Sequence, residues 1–380
     1  MRVAIEIQPV LDRHLTGVGW YTDNFIRRIK NFARKDEKFY LLGMDFYGKA
    51  GELAECLSPN VELRTNGLIH YGIYRRIWKF IPFVDYGTFF KTKADIFHFF
   101  NFVSPPYVKG KIVITVYDMV YKVFPETMEK ANYAKLDQNL RRSCEAASAI
   151  VTISENSRKE IIEYMDVEAD KIYIIPPGVD CLQYRPLKDE KEFLSIKAKY
   201  GLPQDYFLYL GTIEPRKNIE SIVEAFRIYR DRGGKNRLVI AGKKGWMYEK
   251  VFELVKQYGL ENYVIFPGYI DEADKYLIYG GAKAFLFPSL YEGFGMPPLE
   301  AMACGVPVIT SNTSSLPEVV GDAGLMVEPM DVESLAHHMK RLEEDEELCE
   351  KLIQKGIERA GNFTWENSVK KLMELYRAMG

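Results

Sequence analysis

Short apolar runs alternate along the chain with longer segments in which apolar residues recur at helical spacing. In the first half, the runs that fit strands are 3–7, 39–42, 96–99, 112–116, 149–153 and 172–175. In the second half, they are 206–210, 237–241, 263–266, 284–287, 306–310 and 324–327. Because most of these runs precede a helical segment, the pattern predicts βαβ units. Nearly continuous apolar strands indicate parallel sheets covered by helices on both faces.

A break in this pattern falls between Pro176 and Pro203. Residues 176–180 have turn composition, residues 188–199 are highly charged, and a new strand begins after Pro203. At roughly 100–200 residues per domain, a chain of 380 residues is expected to form two domains. We therefore predict Rossmann-like domains at 1–180 and 181–362, followed by an amphipathic helix at 363–380 that Thr364 caps.

Charge and cysteine content disfavour several classes of partner. A net charge of −2 gives no global reason to expect a nucleic-acid partner. The five cysteines form no CxxC pair and have no His at metal-ligand spacing, so we predict reduced thiols and no zinc site. The acidic run at 343–347 lies in a helical pattern and is interpreted as a solvated helix face. With no signal peptide and no membrane-spanning apolar run, the expected location is the cytoplasm.

The loop at 211–218 places two adjacent cations where a buried strand ends and a helix begins. Ligands of open α/β sheets bind beyond the carboxyl ends of the strands, where Gly211 and Thr212 stand. Positive charge on Arg216 and Lys217 opposes the dipole of the following helix, so a bound anion would compensate it. An Arg fork beside a Lys ammonium suits a diphosphate. The alternative is a solvated surface pair.

A second loop, at 288–295, also follows a predicted strand, and its helix is expected to begin at the Pro297-Pro298 pair and end at Gly305. Glycines in the loop let backbone N–H groups approach a ligand, and a helix N-terminus favours an anion. Glu292 can accept hydrogen bonds from sugar hydroxyls. Glu300 can accept two vicinal ribose hydroxyls, or it can simply compensate the helix dipole. The candidate binding residues of this segment are Glu292, Gly293, Phe294, Gly295, Met296, Leu299 and Glu300.

Together these two segments resemble the family-four glycosyltransferases, which are retaining enzymes with the GT-B fold. The most specific match is the Glu-x7-Glu spacing from Glu292 to Glu300 with Gly-Phe-Gly-Met-Pro between. Other similar stretches are 151–157, 175–180, 211–218 and Phe363-x-Trp365, so the resemblance covers essentially the whole chain. The N-terminal pattern looks most like mannosyltransferases of bacterial polysaccharide synthesis.

The resemblance implies an α/β fold of two Rossmann-like domains facing a cleft, with the C-terminal helix crossing back onto the N-terminal domain. It also implies that Arg216 and Lys217 bind the donor diphosphate. In the same way it assigns Glu292 to the donor sugar and Glu300 to the ribose.

The N-terminal half contains a glycine-containing loop at 16–21, after the first strand. The spacing of Gly17 and Gly19 matches part of a dinucleotide-binding fingerprint, but Thr22 stands where a third Gly is expected. In the resembled family, this loop faces the cleft and touches the donor phosphate or the acceptor. The alternative is a structural turn.

Two further strand ends supply candidates on the acceptor side. Many members of the resembled family carry His where Tyr117 stands, and a Tyr can donate a hydrogen bond but cannot act as a base near neutrality. Asp118 is a candidate catalytic or acceptor-binding residue, or the cap of an Asx turn. His98 is interpreted either as a cleft residue or as a hydrogen-bonded structural histidine.

Residues 67–93 are rich in aromatic and basic side chains, with Asp85 as their only acid. Such a segment could lie on an anionic membrane surface and hold a lipid-linked acceptor. It could equally pack on the core with its cations reaching into solvent. If it docks on a bilayer, the protein is peripheral on the inner face of the membrane.

The expected reaction is transfer of a sugar from a nucleoside-diphosphate sugar to a hydroxyl of a glycan or lipid-linked glycan. GDP-mannose is the first expectation for the donor and a UDP-sugar the second. Since Arg216 and Lys217 can stabilise the leaving diphosphate, we expect neither a metal nor a cofactor. The alternatives are a phosphorylase or sugar-nucleotide epimerase of the same fold, or a non-catalytic sugar-nucleotide-binding protein. A nicotinamide oxidoreductase is disfavoured by the incomplete glycine fingerprint.

Overall fold

The computed structural model describes residues 1–12, 15–80 and 83–380, apart from the side chains of Lys79 and Glu190. The strands of the first half are β1 (Arg2–Glu6), β2 (Lys38–Gly43), β3 (Val61–Thr65), β4 (Ile96–Phe99), β5 (Lys111–Thr115), β6 (Ala149–Thr152) and β7 (Ile172–Ile174). Those of the second half are β8 (Tyr206–Leu210), β9 (Arg237–Ala241), β10 (Val264–Gly268), β11 (Ala284–Phe287), β12 (Val308–Ser311) and β13 (Leu325–Val327). They form two sheets, ordered β3-β2-β1-β4-β5-β6-β7 and β10-β9-β8-β11-β12-β13.

Helices connect these strands. In the first half they are α1 (Gln8–Leu11), α2 (Gly17–Phe32), α3 (Tyr71–Ile77), α4 (Val120–Val123), α5 (Lys130–Ala146) and α6 (Glu155–Met165). In the second half they are α7 (Glu190–Tyr200), α8 (Ile219–Asp231), α9 (Glu249–Gln257), α10 (Lys275–Gly280), α11 (Met296–Ala303), α12 (Leu316–Val320), α13 (Val332–Glu344), α14 (Glu346–Gly361) and α15 (Trp365–Met379). No helix in the described part of the chain is both long enough and apolar enough to cross a bilayer.

All twelve predicted strands are present, with ends that shift by at most two residues. The sequence pattern missed β3, the edge strand of the first sheet, in which Val61 is buried and the residues after it are half-buried or exposed. Both sheets are parallel throughout. The predicted α/β class with two Rossmann-like sheets is therefore confirmed.

The chain divides into a first unit of residues 1–178 and 365–380 and a second unit of residues 179–364. Helix α15 thus belongs to the first unit, which confirms the predicted return of the C-terminal helix. Its Trp365 ring packs edge-on against Phe25 of α2 at 5.8 Å between centroids. Arg377 near its end binds Glu37 through Nε–Oε1 at 2.7 Å, so apolar and ionic contacts hold both ends of the helix.

Each sheet has one point at which its strand order reverses. In the second sheet, this point determines where the candidate site lies. In the first sheet β1 pairs with β2 on one side and β4 on the other. In the second sheet β8 pairs with β9 on one side and β11 on the other. The loops after β8 and β11 therefore leave the same sheet edge as neighbours, which is where open α/β sheets bind ligands.

The acidic run at 343–347 is largely the predicted solvated face, because residues 344–347 are exposed. It joins two helices, and Asp345 caps the second by accepting a hydrogen bond from the Leu348 N–H at 2.9 Å. Glu343 accepts hydrogen bonds from the Tyr229 hydroxyl at 2.6 Å and the Lys235 N–H at 2.7 Å. The run therefore stabilises a helix junction through its carboxylates.

Candidate functional site

The two loops that carry the predicted donor-binding residues are joined directly to each other. The Leu290 N–H donates to the Arg216 carbonyl at 2.9 Å. The Asn218 amide donates to the Pro288 carbonyl at 3.0 Å and the Pro329 carbonyl at 2.6 Å. Asn218 adopts a left-handed backbone with φ +56° and begins α8. This turn holds the cations before α8 in one fixed position beside the loop after β11.

Arg216 and Lys217 form an ion cluster with two carboxylates. Lys217 Nζ lies 2.6 Å from Glu292 Oε1. Arg216 Nη1 lies 3.2 Å from Glu292 Oε2, and its Nη2 lies 2.8 Å from Glu214 Oε1. Arg216 also donates to the Tyr291 carbonyl at 2.8 Å. The predicted residues of the two segments thus meet in one network, and Glu214 is a member that the sequence analysis missed.

This cluster is shielded from solvent. The exposed fractions of the Arg216 and Lys217 side chains are 20% and 12%. Burial alone would raise the pKa of Glu292, but the charges of Lys217 and Arg216 outweigh it and hold that pKa below its ordinary value. Burial, followed by repulsion from Arg216, lowers the pKa of Lys217 despite its pairing with Glu292. The alternative of a solvated surface pair is therefore wrong.

Two cations and two carboxylates give the cluster balanced formal charge. A Lys ammonium has three donors, and Glu292 receives one from Lys217. Lys217 can therefore bind an anionic ligand oxygen while it stays paired with Glu292. Because the site is little exposed, each such contact is electrostatically stronger than in water.

Two serines after β12 position the loop that carries Glu292. Ser314 Oγ accepts a hydrogen bond from the Glu292 N–H at 3.0 Å. Ser315 Oγ lies 2.8 Å from the Glu292 carbonyl oxygen and 2.7 Å from that of Phe294. The sequence analysis missed both residues, although their place after a neighbouring strand of the same sheet was a usable signal.

The helix α11 begins at Met296, one residue before the predicted start, and follows Gly295 at φ +119°. Its first three residues are Met296, Pro297 and Pro298, and proline has no N–H. Met296 is therefore the one amide donor among them, so a ligand at this helix start relies on few helix amides. The Leu299 side chain is fully buried in the core, so its assignment to substrate binding stays a prediction that only its backbone could meet.

Glu300 belongs to a different group of side chains from Glu292. Its Oε2 accepts a hydrogen bond from the Tyr279 hydroxyl at 3.0 Å. Burial raises the pKa of Glu300, and the charge of Lys275 opposes that shift. The carboxylate thus lies on the side of α11 that faces α10. Its assignment to the ribose stays a prediction.

The start of the loop after β8 is packed against the loop after β9. Gly211 N–H donates to the Ala241 carbonyl at 3.0 Å, and Thr212 beside it is exposed. A Cβ placed on Gly242, whose φ is +140°, would lie 1.8 Å from the Gly211 carbonyl oxygen. Only glycine fits at position 242. The backbone of Gly211, where the candidate site begins, therefore packs tightly against the backbone of Gly242.

The loop predicted at 16–21 is wrong in conformation. Gly17 is the first residue of α2, which extends to Phe32. A Cβ on Gly19 would lie 2.8 Å from the Pro9 carbonyl oxygen, so this glycine permits close packing of α2 against α1. A Cβ on Gly17 would meet nothing within 4 Å. Close packing of α2 against α1 therefore explains Gly19 but not Gly17, and their assignment to substrate binding stays a prediction.

His98 is wrongly assigned to substrate binding, because it is fully buried in the first unit. Its Nδ1 lies 2.5 Å from the Tyr376 hydroxyl and its Nε2 lies 2.8 Å from Thr115 Oγ1. The ring also stacks on Phe100 at 4.0 Å. Burial lowers the pKa of His98 to about 3, so the ring is neutral. Of the two predicted roles, cleft residue or hydrogen-bonded structural histidine, His98 therefore has the second.

Tyr117 and Asp118 differ in position although they are adjacent. Tyr117 is buried and packs edge-on against Tyr21 at 5.2 Å. It does not line the pocket of ≈ 620 Å³ in this unit, and its assignment to substrate binding stays a prediction. Asp118 lines that pocket and accepts a hydrogen bond from the Val120 N–H at 3.1 Å. It therefore caps the turn before α4 and can still face a ligand.

Within residues 1–12, 15–80 and 83–380, no group of three or more His, Cys, Asp and Glu side chains is arranged to hold a metal ion. The polar groups of the ion cluster are instead paired with one another. The chemistry that they can perform is electrostatic stabilisation of an anion beside a hydrogen-bonding carboxylate.

Comparison with known proteins gives matches across both halves. Residues 17–182 match the model described as Glycosyltransferase Family 4, and residues 191–359 match the one described as Glycosyl transferases group 1. The chain is 31% identical to O-antigen chain mannosyltransferase B of Escherichia coli over 397 aligned positions, which cover 100% of both chains.

Solved structures share the fold at low sequence identity. Sucrose-phosphate synthase from Thermosynechococcus elongatus aligns with a TM-score of 0.76 and 20% identity over 100% of this chain and 98% of that one. HepE of Anabaena in complex with UDP-glucose aligns with a TM-score of 0.73 and 16% identity over 100% of both chains. These alignments support the predicted GT-B architecture.

Proposed function

The chain belongs to family 4 of the glycosyltransferases, and we propose that it moves a mannosyl group from GDP-mannose to a hydroxyl of a growing glycan or lipid-linked glycan. Its activity as a hexosyltransferase follows from the family and from its full-length mannosyltransferase relative. The donor base, the acceptor and the retention of anomeric configuration are the proposal. Retention is supported by the resemblance in the Glu292–Glu300 segment.

The observation that carries this proposal is the buried ion cluster at the switch point of the second sheet. As the bond to the sugar breaks, negative charge grows on the leaving diphosphate. Arg216 and Lys217 are fixed by Glu214 and Glu292, so they can stabilise that charge without moving. A preorganised pair of cations can fill the role that a divalent metal would have, and we therefore propose a reaction that needs no metal or cofactor.

The relatives support the proposed donor. The full-length relative is named a mannosyltransferase, which supports mannose as the transferred sugar. The structural neighbour solved with UDP-glucose makes a UDP-sugar the second candidate. The ion cluster binds the diphosphate, which both donors share, so it does not discriminate between the bases.

A thermal-shift screen of the full chain tests the donor. GDP-mannose, UDP-glucose and ADP-glucose are added separately in the presence of EDTA. A donor at 100 times its dissociation constant stabilises the folded state by about 2.7 kcal/mol, so the correct one gives the largest rise in melting temperature. We expect GDP-mannose to give it, without loss in EDTA.

Two outcomes of that screen would contradict the proposal. A shift with UDP-glucose alone would replace the donor, and a shift that EDTA abolishes would remove the metal-free reaction. Product analysis with the bound donor separates the other functions of this fold. Slow release of free mannose or transfer to an acceptor supports a transferase, whereas phosphate consumption or sugar isomerisation would indicate a phosphorylase or epimerase.

We also propose that the protein docks on an anionic membrane through part of residues 67–93. Of this surface, Ile81, Pro82 and the side chain of Lys79 lie outside the described residues. Ile73, Phe80 and Phe83 are 54%, 79% and 75% exposed, and Arg76 on α3 is exposed beside them. Exposed apolar side chains beside a cation are typical of interfacial anchors. Other aromatic residues of the segment, such as Tyr74 and Tyr86, are core residues.

Liposome flotation tests the docking surface. We expect the full chain to float with vesicles that contain anionic lipid, and to bind less as salt is raised. Replacing Ile73, Phe80 and Phe83 by Ser should lower the bound fraction about tenfold or more, because burial of each apolar side chain contributes roughly 1.5–3 kcal/mol. Leu182→Ser, which removes an 89% exposed apolar residue of the other unit, is the control. Equal flotation of the triple variant and this control would contradict the proposal.

A further inference from the structure

A second group of polar side chains lies beside α10 and α11 in the second unit. The Tyr279 hydroxyl of α10 donates to Glu300 Oε2 of α11 at 3.0 Å. Lys275 Nζ lies 2.7 Å from Glu272 Oε2, and the Tyr184 hydroxyl donates to Glu272 Oε1 at 2.9 Å. All five residues belong to the unit that contains the ion cluster. Each of the two carboxylates thus accepts a hydrogen bond from a tyrosine hydroxyl.

Glu300 can accept further hydrogen bonds from a ligand. Both oxygens of Glu272 are engaged, one by Lys275 and one by Tyr184. The bond from Tyr279 uses one acceptor position of Glu300, and an ionised carboxylate has about four. The Glu300 residue is half-buried, so part of it reaches solvent. Glu300 can therefore bind a ligand while it stays bonded to Tyr279.

Tyr279 places a fixed donor beside Glu300. Its side chain is fully buried, and its ring packs edge-on against Phe285 of β11 at 5.3 Å between centroids. Burial raises the pKa of the Tyr279 hydroxyl well above its ordinary value, so the hydroxyl keeps its proton and donates. The carboxylate at the end of a glutamate side chain otherwise rotates over a broad range. A hydrogen bond from a donor that the core fixes therefore restricts the orientation of the Glu300 carboxylate.

The orientation of Glu300 matters because of what lies before it in the chain. The helix α11 follows the loop that carries Glu292 of the ion cluster. That cluster is the proposed site of the donor diphosphate, and in a nucleoside-diphosphate sugar the diphosphate is attached to a ribose. A ribose carries two vicinal hydroxyls, and one carboxylate in a fixed orientation can accept a hydrogen bond from each. Fixing Glu300 before the donor binds lowers the entropy cost of binding.

We propose that Tyr279 is a positioning residue of the donor site, whose hydroxyl holds the Glu300 carboxylate ready for the two vicinal hydroxyls of the donor ribose. This inference rests on the proposed nucleotide-sugar donor and adds a residue that determines how tightly that donor binds. Tyr279 acts through Glu300, because its own side chain is fully buried in the core. Tyr184 has the equivalent contact with Glu272, so it keeps the second carboxylate engaged elsewhere.

Isothermal titration calorimetry on the full chain tests this role, with GDP and its 2′,3′-dideoxy analogue as probes. The analogue keeps the base and the diphosphate but lacks both ribose hydroxyls. Tyr279→Phe removes the hydroxyl and keeps the packed ring. We expect it to weaken GDP binding about fivefold, which corresponds to roughly 1 kcal/mol for ordering one side chain on binding. Binding of dideoxy-GDP should stay nearly unchanged, whereas a merely structural role would weaken both nucleotides equally.

Two further variants separate positioning from loss of stability. Tyr206 is another fully buried tyrosine of this unit, and its hydroxyl donates to the Ile278 carbonyl of α10 at 2.7 Å. Tyr206→Phe therefore removes a buried hydrogen bond to the same helix, and it should leave the affinity for GDP unchanged. In a Glu300→Ala background, adding Tyr279→Phe should weaken GDP binding no further, because the carboxylate that Tyr279 positions is gone.

Equal weakening of GDP and dideoxy-GDP by Tyr279→Phe, or no weakening of either, would overturn the inference and leave the donor proposal standing. Equal affinity of the unaltered protein for the two nucleotides would overturn it as well. UDP and dideoxy-UDP are measured in parallel. If the unaltered protein binds only this second pair, the GDP-mannose proposal fails and the role of Tyr279 is decided on the uracil nucleotides. If it binds none of the four, the nucleotide-sugar donor is wrong and the role of Tyr279 is wrong with it.

Discussion

Lys217→Ala is expected to lower the turnover of glycosyl transfer by roughly 10²-fold or more, and Arg216→Ala should do the same. Both side chains are held beside Glu292, where they can stabilise the charge that develops on the leaving diphosphate. The loss should lie in turnover more than in donor affinity, because the diphosphate gains charge only as the sugar bond breaks. Initial rates at saturating donor, together with the donor dissociation constant, measure the two effects separately.

A matched control distinguishes this effect from loss of structure. Lys250 on α9 is an exposed lysine of the same unit, and Lys250→Ala should have normal turnover. Removing Lys217 leaves Glu292 with one cation instead of two, so the melting temperature of each variant must be recorded beside its rate. Near-normal turnover in both Arg216→Ala and Lys217→Ala would exclude the ion cluster from catalysis.

Gly242→Ala should destabilise the second unit by roughly 2–5 kcal/mol, because the new methyl group collides with backbone and the residue must keep a positive φ. The added Cβ would lie 1.8 Å from the Gly211 carbonyl oxygen, and neither backbone atom can rotate away as a side chain could. The melting temperature should fall by about 5–15 °C for a unit of this size. Because Gly211 opens the loop that carries Arg216, the thermal shift with donor should also shrink.

Gly259→Ala is the control for this change. Gly259 also has a positive φ, of +65°, but a Cβ there would meet nothing within 4 Å. It should cost about 1–2 kcal/mol, which is the strain of the left-handed backbone alone. Equal melting temperatures for the two variants would show that the contact between Gly242 and Gly211 is not tight.

The strands and the donor-side residues could be predicted from sequence because their signals are local. A buried parallel strand is a continuous apolar run, and a loop after it must lie at the ligand-binding edge. That is why Arg216, Lys217 and Glu292 could be placed together although they are far apart in sequence. Edge strand β3 was missed for the opposite reason, since its polar residues resemble a surface turn.

Other residues could not be placed because their roles depend on distant partners. Both faces of β4 are buried, so strand periodicity gives no hint whether His98 faces a ligand or the core. Its partner Tyr376 stands 278 positions away. Glu214 carries no motif of its own, and only the folded loop shows that it pairs with Arg216. Gly17 and Gly19 resemble a phosphate loop locally, yet α2 begins there.

The interrupted course of the first unit has a consequence for synthesis on the ribosome. Residues 179–364 form one continuous stretch, so the second unit is available in full before the chain ends. The first unit lacks α15 until residues 365–380 emerge, and Trp365 and Tyr376 are buried parts of its core. Domains usually finish folding in the order in which they are made. Here the domain that begins first must be the last to be completed.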